Sequence, residues 1–110
     1  MLVCFRSRRS QWHGGMIKDA YLPHNRGFDS AFGYYEGAID YYKHTIGADI
    51  LDLHNATAGG EATCQPAYTG QYDLDVFREQ AKQVITAHAL ALPTPLFLYW
   101  ALHSVHEPDE

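Results

Sequence analysis

The sequence is poor in basic residues, in long hydrophobic runs and in cysteine, and each shortage argues against a class of function. Eight lysines and arginines stand against thirteen acidic residues, which gives a net charge of −5. A protein that binds nucleic acid needs a basic face to neutralise phosphates, and the only basic run here, residues 6–9, is short and terminal. We therefore expect no nucleic-acid partner.

Long apolar runs are also missing. No stretch approaches the roughly 20 apolar residues that a helix needs to cross a bilayer, so we expect no membrane span. Residues 1–5 are too short to form the core of a signal peptide. We therefore expect no signal peptide in this chain.

Two features bear on the redox and secretory state of the chain. Only Cys4 and Cys64 are present, and two free thiols, one disulfide, or a partner thiol outside this chain are all compatible with the sequence. Asn55-Ala56-Thr57 is an acceptor sequon in a polar, glycine-rich setting. Asn55 is therefore the expected glycosylation site.

What is present fits a small globular domain. The chain has 110 residues, of which 46% are hydrophobic, enough for a modest core. Residues 1–10 lack strand and helix patterning and are interpreted as an unrelated or wrongly assigned leader. Residues 11–42 are crowded with glycine and aromatic side chains, which predicts loops with short elements. Those rings could form a sugar-stacking surface, but burial is the commoner use of such residues.

The strongest periodic signal is a helix with Asp73 as its expected N-cap and with Pro93 and Pro95 after its end. One helical face carries the apolar stripe, formed by Leu74, Phe77, Ala81, Val84, Ile85 and His88. Before this helix, residues 46–53 are apolar enough for a short strand. Residues 55–70, rich in glycine, alanine, threonine and proline, predict a surface loop.

The run from Leu96 to Leu102 has no polar alternation, which predicts a strand covered on both faces, as in the parallel sheet of an α/β protein. Open α/β sheets place their chemistry where strands end, and His106 follows this strand. A metal site at His103, His106 and Glu107 is not expected, because the two imidazoles would point to opposite faces of the strand.

Three blocks of sequence carry a family resemblance. The first is Trp12-His13 with Gly15-Met16, which is similar to the signature Gly-Lys-Trp-His-Leu-Gly. The second comprises Leu22-Pro23, Arg26-Gly27-Phe28-Asp29, Phe32-Gly33-Tyr34, Gly37 and Asp40-Tyr41-Tyr42. The third comprises Pro95-Leu96-Phe97-Leu98-Tyr99, Ala101-Leu102 and Ser104-Val105-His106-Glu107-Pro108. Together they span residues 11–108 and resemble the sulfatase family, in particular its arylsulfatase B branch.

The resemblance implies a partial, alkaline-phosphatase-like α/β domain with a mixed sheet and flanking helices, in which residues 11–110 are a fragment of the catalytic domain. It also implies a sulfuric ester hydrolase that acts on sulfate esters of sugars or aryl groups. The family uses a formylglycine and Ca²⁺. Its members enter the secretory pathway and are lysosomal or extracellular.

The resemblance also implies roles for three residues. His13 matches a histidine that hydrogen-bonds the formylglycine, and His106 matches one that contacts sulfate and protonates the leaving oxygen. Gln11 stands where the signature has a lysine that pairs with sulfate, and an amide cannot replace that charge. The other histidines are expected to be structural or solvated: His24, His44, His54, His88 and His103.

The departures from the family pattern predict that this chain alone is inactive. Cys4 lacks the proline of the formylglycine motif Cys-x-Pro-x-Arg, so the formylglycine is absent, and the Asp and Asn ligands of Ca²⁺ are not matched. No metal ligand is therefore assigned. Two alternatives remain open: a non-catalytic protein that binds a sulfated glycan or a protein partner, and a phosphatase or phosphodiesterase of the same superfamily.

Overall fold

Five short strands and one α-helix form the described part of the protein, which comprises Trp12, residues 15–91 and residues 95–101 of a computed structural model. The strands are β1 (Ser30–Gly33), β2 (Thr45–Ile46), β3 (Ile50–Leu51), β4 (His54–Thr57) and β5 (Thr63–Cys64), and the helix is α1 (Asp73–Ala91). Three 3₁₀ turns lie at Asp19–Tyr21, Pro23–Asn25 and Pro66–Tyr68. The predicted leader, residues 1–10, lies outside the described residues.

Strand β4 is the centre of a three-stranded antiparallel sheet with the order β1, β4, β5. Its register against β1 pairs Ser30 with Thr57 and Gly33 with His54. Side chains alternate along β4, so that Ala56 is buried between two exposed neighbours, Asn55 and Thr57. The sheet thus brings residues 30–33 and 54–64 together although they are distant in sequence.

The predicted surface loop over residues 55–70 is wrong in its secondary structure, because β4 and β5 form a hairpin there. The hairpin turns through Gly59, whose φ of +74° lies in the left-handed region that glycine adopts without a steric penalty. The exposure of most of these residues was expected. Composition does not reveal cross-strand pairing, so the two strands of this polar segment could not be predicted from it.

The single strand predicted over residues 46–53 is instead a second hairpin, made of β2 and β3. The chain reverses between them through Gly47 and Asp49, both of which have positive φ. A tight turn therefore divides the apolar stretch. Ile46 and Leu51 still pack against the core.

Helix α1 confirms the predicted helix, with a boundary that differs by one residue. Asp73 is the first helical residue, and its backbone N–H donates to the carbonyl oxygen of Tyr41 at 2.9 Å. Phe77 and Ala81 are buried as the stripe predicts, whereas Ile85 is 49% exposed. The buried stripe is therefore shorter than the sequence pattern.

The core lies where α1 packs across β1 and the residues that lead into β4. It consists of Phe32, Tyr34, Ile39, Leu53, Val76 and Phe77. Phe77 meets Phe32 and Tyr34 edge-on, with ring centroids 5.7 Å and 5.4 Å apart. Such edge-to-face pairs add roughly 0.5–1.5 kcal/mol beyond area burial. The predicted burial of aromatic residues from the 11–42 region is confirmed for these core rings.

The predicted buried strand is not found in residues 96–101, the described part of its range. That segment has no strand assignment, and Phe97 and Trp100 are 51% and 39% exposed. Leu96 and Leu98 do pack against the core. A central strand needs hydrogen-bonding neighbours on both edges, and neither described sheet extends to this segment.

The fold class is a small mixed α/β arrangement. All strand pairs among the described residues are antiparallel, so the mixed sheet expected from the resemblance is not seen there. The alkaline-phosphatase-like architecture stays a prediction. Within the same residues, α1 is too polar to cross a membrane.

Candidate functional site

The three residues to which the resemblance gives a role in sulfate chemistry, Gln11, His13 and His106, all lie outside the described residues. Their roles therefore stay predictions. The described neighbours of these residues, Trp12 and the segment 95–101, still fix where parts of the first and third blocks lie.

Trp12 anchors the first block. Its side chain is 9% exposed, and its indole N–H donates to the carbonyl oxygen of Tyr21. Its ring meets Phe28 edge-on, with centroids 6.4 Å apart. Gly27, immediately before Phe28, has a φ of +94°, so a side chain at that position would be strained. The first two blocks of the resemblance thus contact each other.

A small cavity lies beside Trp12. Its lining residues are Trp12, Pro23, Ala31, Phe32, Gly33, Tyr34, Tyr35 and His54. The volume is about 10 Å³, close to what a single water molecule occupies. A sulfated sugar therefore does not fit into this cavity.

A larger surface groove of about 310 Å³ lies beside the first two 3₁₀ turns. Its lining residues are Asp19, Leu22, His24, Asn25, Gly60, Glu61 and Ala62. Two of these lining residues, Asp19 and Glu61, carry negative carboxylates, and a sulfate ester bound in the groove would also be negative. Like charges repel, so the groove is a poor sulfate site.

His44 is a fully buried histidine with a structural role, as expected. Its Nε2–H donates to the carbonyl oxygen of Tyr68 at 3.1 Å, and its Nδ1 lies 2.6 Å from the hydroxyl of Tyr34. Burial lowers the pKa of His44 below its usual 6.5. Burial, together with the nearby carboxylate of Asp73, raises the pKa of Tyr34. Both groups are therefore neutral at pH 7.

Sequence reasoning missed a polar cluster built around His54. The imidazole Nε2 lies 3.1 Å from Oδ1 of Asp52, and the ring stacks on Tyr35 with centroids 4.3 Å apart. The signal was present in the sequence, because Asp-x-His in an extended segment puts both side chains on one face. Because no strand was predicted at His54, the spacing alone did not indicate that the two side chains lie together.

The described residues do not fit a Ca²⁺ site. No group of three or more potential ligands among them is arranged to hold a metal ion. The carboxylates of Asp40 and Asp52 already accept hydrogen bonds from backbone amides. Asp40 Oδ1 accepts from Tyr42 and Lys43, while Asp52 Oδ2 accepts from the amides of residues 35 and 36. We therefore derive no step through calcium in this chain.

Comparison with known proteins shows a sulfatase relationship. The chain is 32% identical to arylsulfatase J of Mus musculus over 106 residues. The match covers 89% of this chain and 16% of the mouse protein, so the chain spans about one sixth of that relative. No family model matches the chain. The sulfatase resemblance is thus confirmed, and its arylsulfatase B-like subtype stays a prediction.

Proposed function

We propose that this sulfatase relative is a segment of a sulfuric ester hydrolase of the arylsulfatase B-like type. Its substrate class is a sulfate ester of a sugar or aryl group, including sulfated glycans. The observation that carries the proposal is the 32% identity that extends over 89% of the chain. Similarity over nearly the whole chain favours inheritance of the segment over chance agreement of short motifs.

In this proposal, His13 and His106 act directly on the sulfate ester. His13 hydrogen-bonds the group that attacks sulfur, and His106 protonates the oxygen that leaves. An imidazole with a pKa near 6.5 can hold or release a proton in a mildly acidic compartment, which suits both roles. Gln11 contacts sulfate by a neutral hydrogen bond only.

The isolated chain is proposed to be inactive because it has no formylglycine. Cys64-Gln65-Pro66 reproduces the first three positions of Cys-x-Pro-x-Arg, but Tyr68 stands where the motif requires arginine. Cys4, by contrast, lacks the proline. Without the nucleophile, the covalent step of a sulfatase cannot occur.

The proposed location is the secretory pathway, with a lysosomal or extracellular destination. Asn55 supports this, because its side chain is exposed on β4 where a glycan could be attached. Expression in a secreting eukaryotic cell should give a chain whose mass falls on enzymatic deglycosylation. Asn55→Gln should abolish that mass difference, and a difference that persists would contradict the assigned site.

An assay of the purified chain tests the catalytic part of the proposal. With an aryl sulfate and Ca²⁺, we expect no release of the aryl alcohol above the uncatalysed rate. Turnover that persists in both His13→Ala and His106→Ala would show that the chain is active by itself. It would also show that neither histidine has the proposed role.

The encoding transcript separates the proposed enzyme segment from a non-catalytic binding protein. An in-frame Cys-x-Pro-x-Arg motif upstream would show that the segment belongs to a complete sulfatase. A transcript without that motif would overturn the enzyme proposal and favour binding of a sulfated glycan or a protein partner.

A further inference from the structure

The β4–β5 hairpin places a histidine beside the thiol of Cys64. His54 and Cys64 are directly opposite each other in the antiparallel register, so their side chains share one face of the sheet. The Sγ atom of Cys64 lies 3.8 Å from Nδ1 of His54. This contact is within the range of a hydrogen bond to sulfur.

The other nitrogen of the His54 ring is held by Asp52. Its Nε2 lies 3.1 Å from Asp52 Oδ1, which can only accept, so Nε2 carries the proton in the neutral ring. Asp52 is itself fixed, because its Oδ2 accepts the backbone N–H groups of Tyr35 at 3.0 Å and Glu36 at 2.8 Å. The lone pair of His54 therefore points from Nδ1 toward the thiol.

Solvent exposure increases from Asp52 through His54 to Cys64, so a dissolved molecule can reach the thiol. Asp52 is buried, the side chain of His54 is 18% exposed, and Cys64 is exposed and free. Tyr35 stacks on the imidazole with an angle of 14° between the ring planes, which restricts rotation of the ring. His54 is thus an oriented base beside an accessible thiol, the arrangement that activates the nucleophilic cysteine in many enzymes.

We propose that Cys64 is a base-assisted nucleophilic thiol and a site of covalent modification by small disulfides. His54 Nδ1 accepts the thiol proton, and the sulfur attacks one sulfur atom of the disulfide. The disulfide bond breaks, a mixed disulfide forms on Cys64, and the departing thiolate takes the proton from His54. Cys64 is oxidised and the released thiol is the reduced product. This inference does not depend on the proposed sulfatase function.

The hairpin also keeps the thiol accessible if Asn55 is glycosylated. Asn55 pairs with Thr63. Asn55 directly follows His54 in β4, and Thr63 directly precedes Cys64 in β5. Adjacent residues of a strand point to opposite faces, so a glycan on Asn55 lies across the sheet from Cys64. Modification of the two residues is therefore compatible in one molecule.

The test uses the full chain with Cys4→Ser, so that Cys64 is the sole thiol. An aromatic disulfide that releases a coloured thiolate is added at about pH 7, and the reaction rate is followed by absorbance. We expect His54→Gln to lower the rate about tenfold or more, and Asp52→Asn to lower it less. His88→Gln replaces a histidine of α1, outside the β4–β5 hairpin, and is the matched control that should leave the rate unchanged.

A second variant keeps the proposal falsifiable if His54→Gln disturbs the fold, as judged by circular dichroism. Moving the thiol one position along β5, with Cys64→Ser and Thr63→Cys, places it on the face opposite His54. The moved thiol should react about tenfold more slowly than Cys64 at the same pH. Equal rates for the two thiols, or a rate unaffected by a folded His54→Gln variant, would overturn the proposal.

Discussion

The two ends of α1 contain similar apolar side chains but differ sharply in what covers them. Near its beginning, Val76 and Phe77 are 4% and 2% exposed, packed against β1 and the residues before β4. Near its end, Ile85 and Leu90 are 49% and 84% exposed. The following segment, residues 95–101, shows the same contrast within itself.

Apolar composition alone therefore does not determine burial. Phe77 is buried because β1 and the β2–β3 hairpin bring rings and aliphatic groups to its face of the helix. Leu90 has the same chemical tendency, but the described residues bring little to its side of the helix. The two ends of α1 therefore differ in burial because they differ in the number of apolar side chains available to pack against them.

The largest expected effect comes from truncating the centre of the packed end. Phe77→Ala should lower the free energy of unfolding by about 3–5 kcal/mol, because it leaves a cavity between Phe32 and Tyr34. Leu90→Ala, the matched control at the other end, should change it by less than about 0.5 kcal/mol. Urea unfolding monitored by fluorescence measures both. Similar losses for the two variants would show that the two ends of α1 contribute equally to stability.

A smaller effect is expected from the buried polar group of the packed end. His44→Ala should cost about 1–3 kcal/mol, because it leaves the carbonyl oxygen of Tyr68 and the hydroxyl of Tyr34 without this partner. Thermal unfolding at neutral pH measures the loss. A variant as stable as the unmodified chain would show that the network contributes nothing.

The same histidine predicts a pH dependence. Because burial lowers the pKa of His44 in the folded state, the unfolded chain binds a proton first as the pH falls below 6.5. The free energy of unfolding should therefore decline from about pH 6.5 downward. His44→Gln should make that decline shallower. An equally steep decline in the variant would assign the proton uptake to other groups.

A smaller effect still is expected at the turn before β2. Asp40→Ala should cost about 0.5–1.5 kcal/mol, since Oδ1 accepts the amides of Tyr42 and Lys43 at 2.9 Å and 2.7 Å. These hydrogen bonds, first that from Lys43, lower the pKa of Asp40 below 3.8. Their stabilisation is therefore fully present above about pH 3.8 and declines progressively as the pH falls from there through the lowered pKa. Unfolding curves of the variant at pH 3 and 6 check both points. A loss equal at both pH values would contradict the account.

The smallest effect concerns the exposed face of α1. Lys82 lies 2.9 Å from Glu79 in an i,i+3 pair, with both side chains more than half exposed. Exposed ion pairs of this kind contribute little, because water screens them. Lys82→Gln should leave the midpoint of urea unfolding unchanged within error. A clear shift would show that the exposed face of α1 contributes measurably to stability.

The helix could be predicted because the spacing of Leu74, Phe77 and Ala81 follows from the geometry of one element. The β4–β5 hairpin could not, because it depends on the pairing of His54 with Cys64, which no local pattern encodes. The Asp-x-His spacing of Asp52 and His54 is a local signal, but it places both side chains on one face only where the segment is extended, and the sequence did not predict a strand at His54.

The predicted strand at residues 96–102 shows the opposite error. Its continuous apolar run predicts burial on both faces, which requires neighbours that the described sheets do not supply. Local sequence gives the tendency of a segment, whereas burial depends on its surroundings. The sulfatase relationship, by contrast, was carried by residues such as Trp12 and Phe28, and the comparison with arylsulfatase J confirmed it.

In the proposed function, His13 and His106 act on one sulfate ester and must therefore share one cleft. Spin labels on His13→Cys and His106→Cys, in a chain that also carries Cys4→Ser and Cys64→Ser, measure their separation by pulsed dipolar spectroscopy. We expect one narrow distribution at a short distance, matching two side chains that flank a single sulfate. A long or broad distribution would place the two histidines in separate sites and contradict their proposed roles.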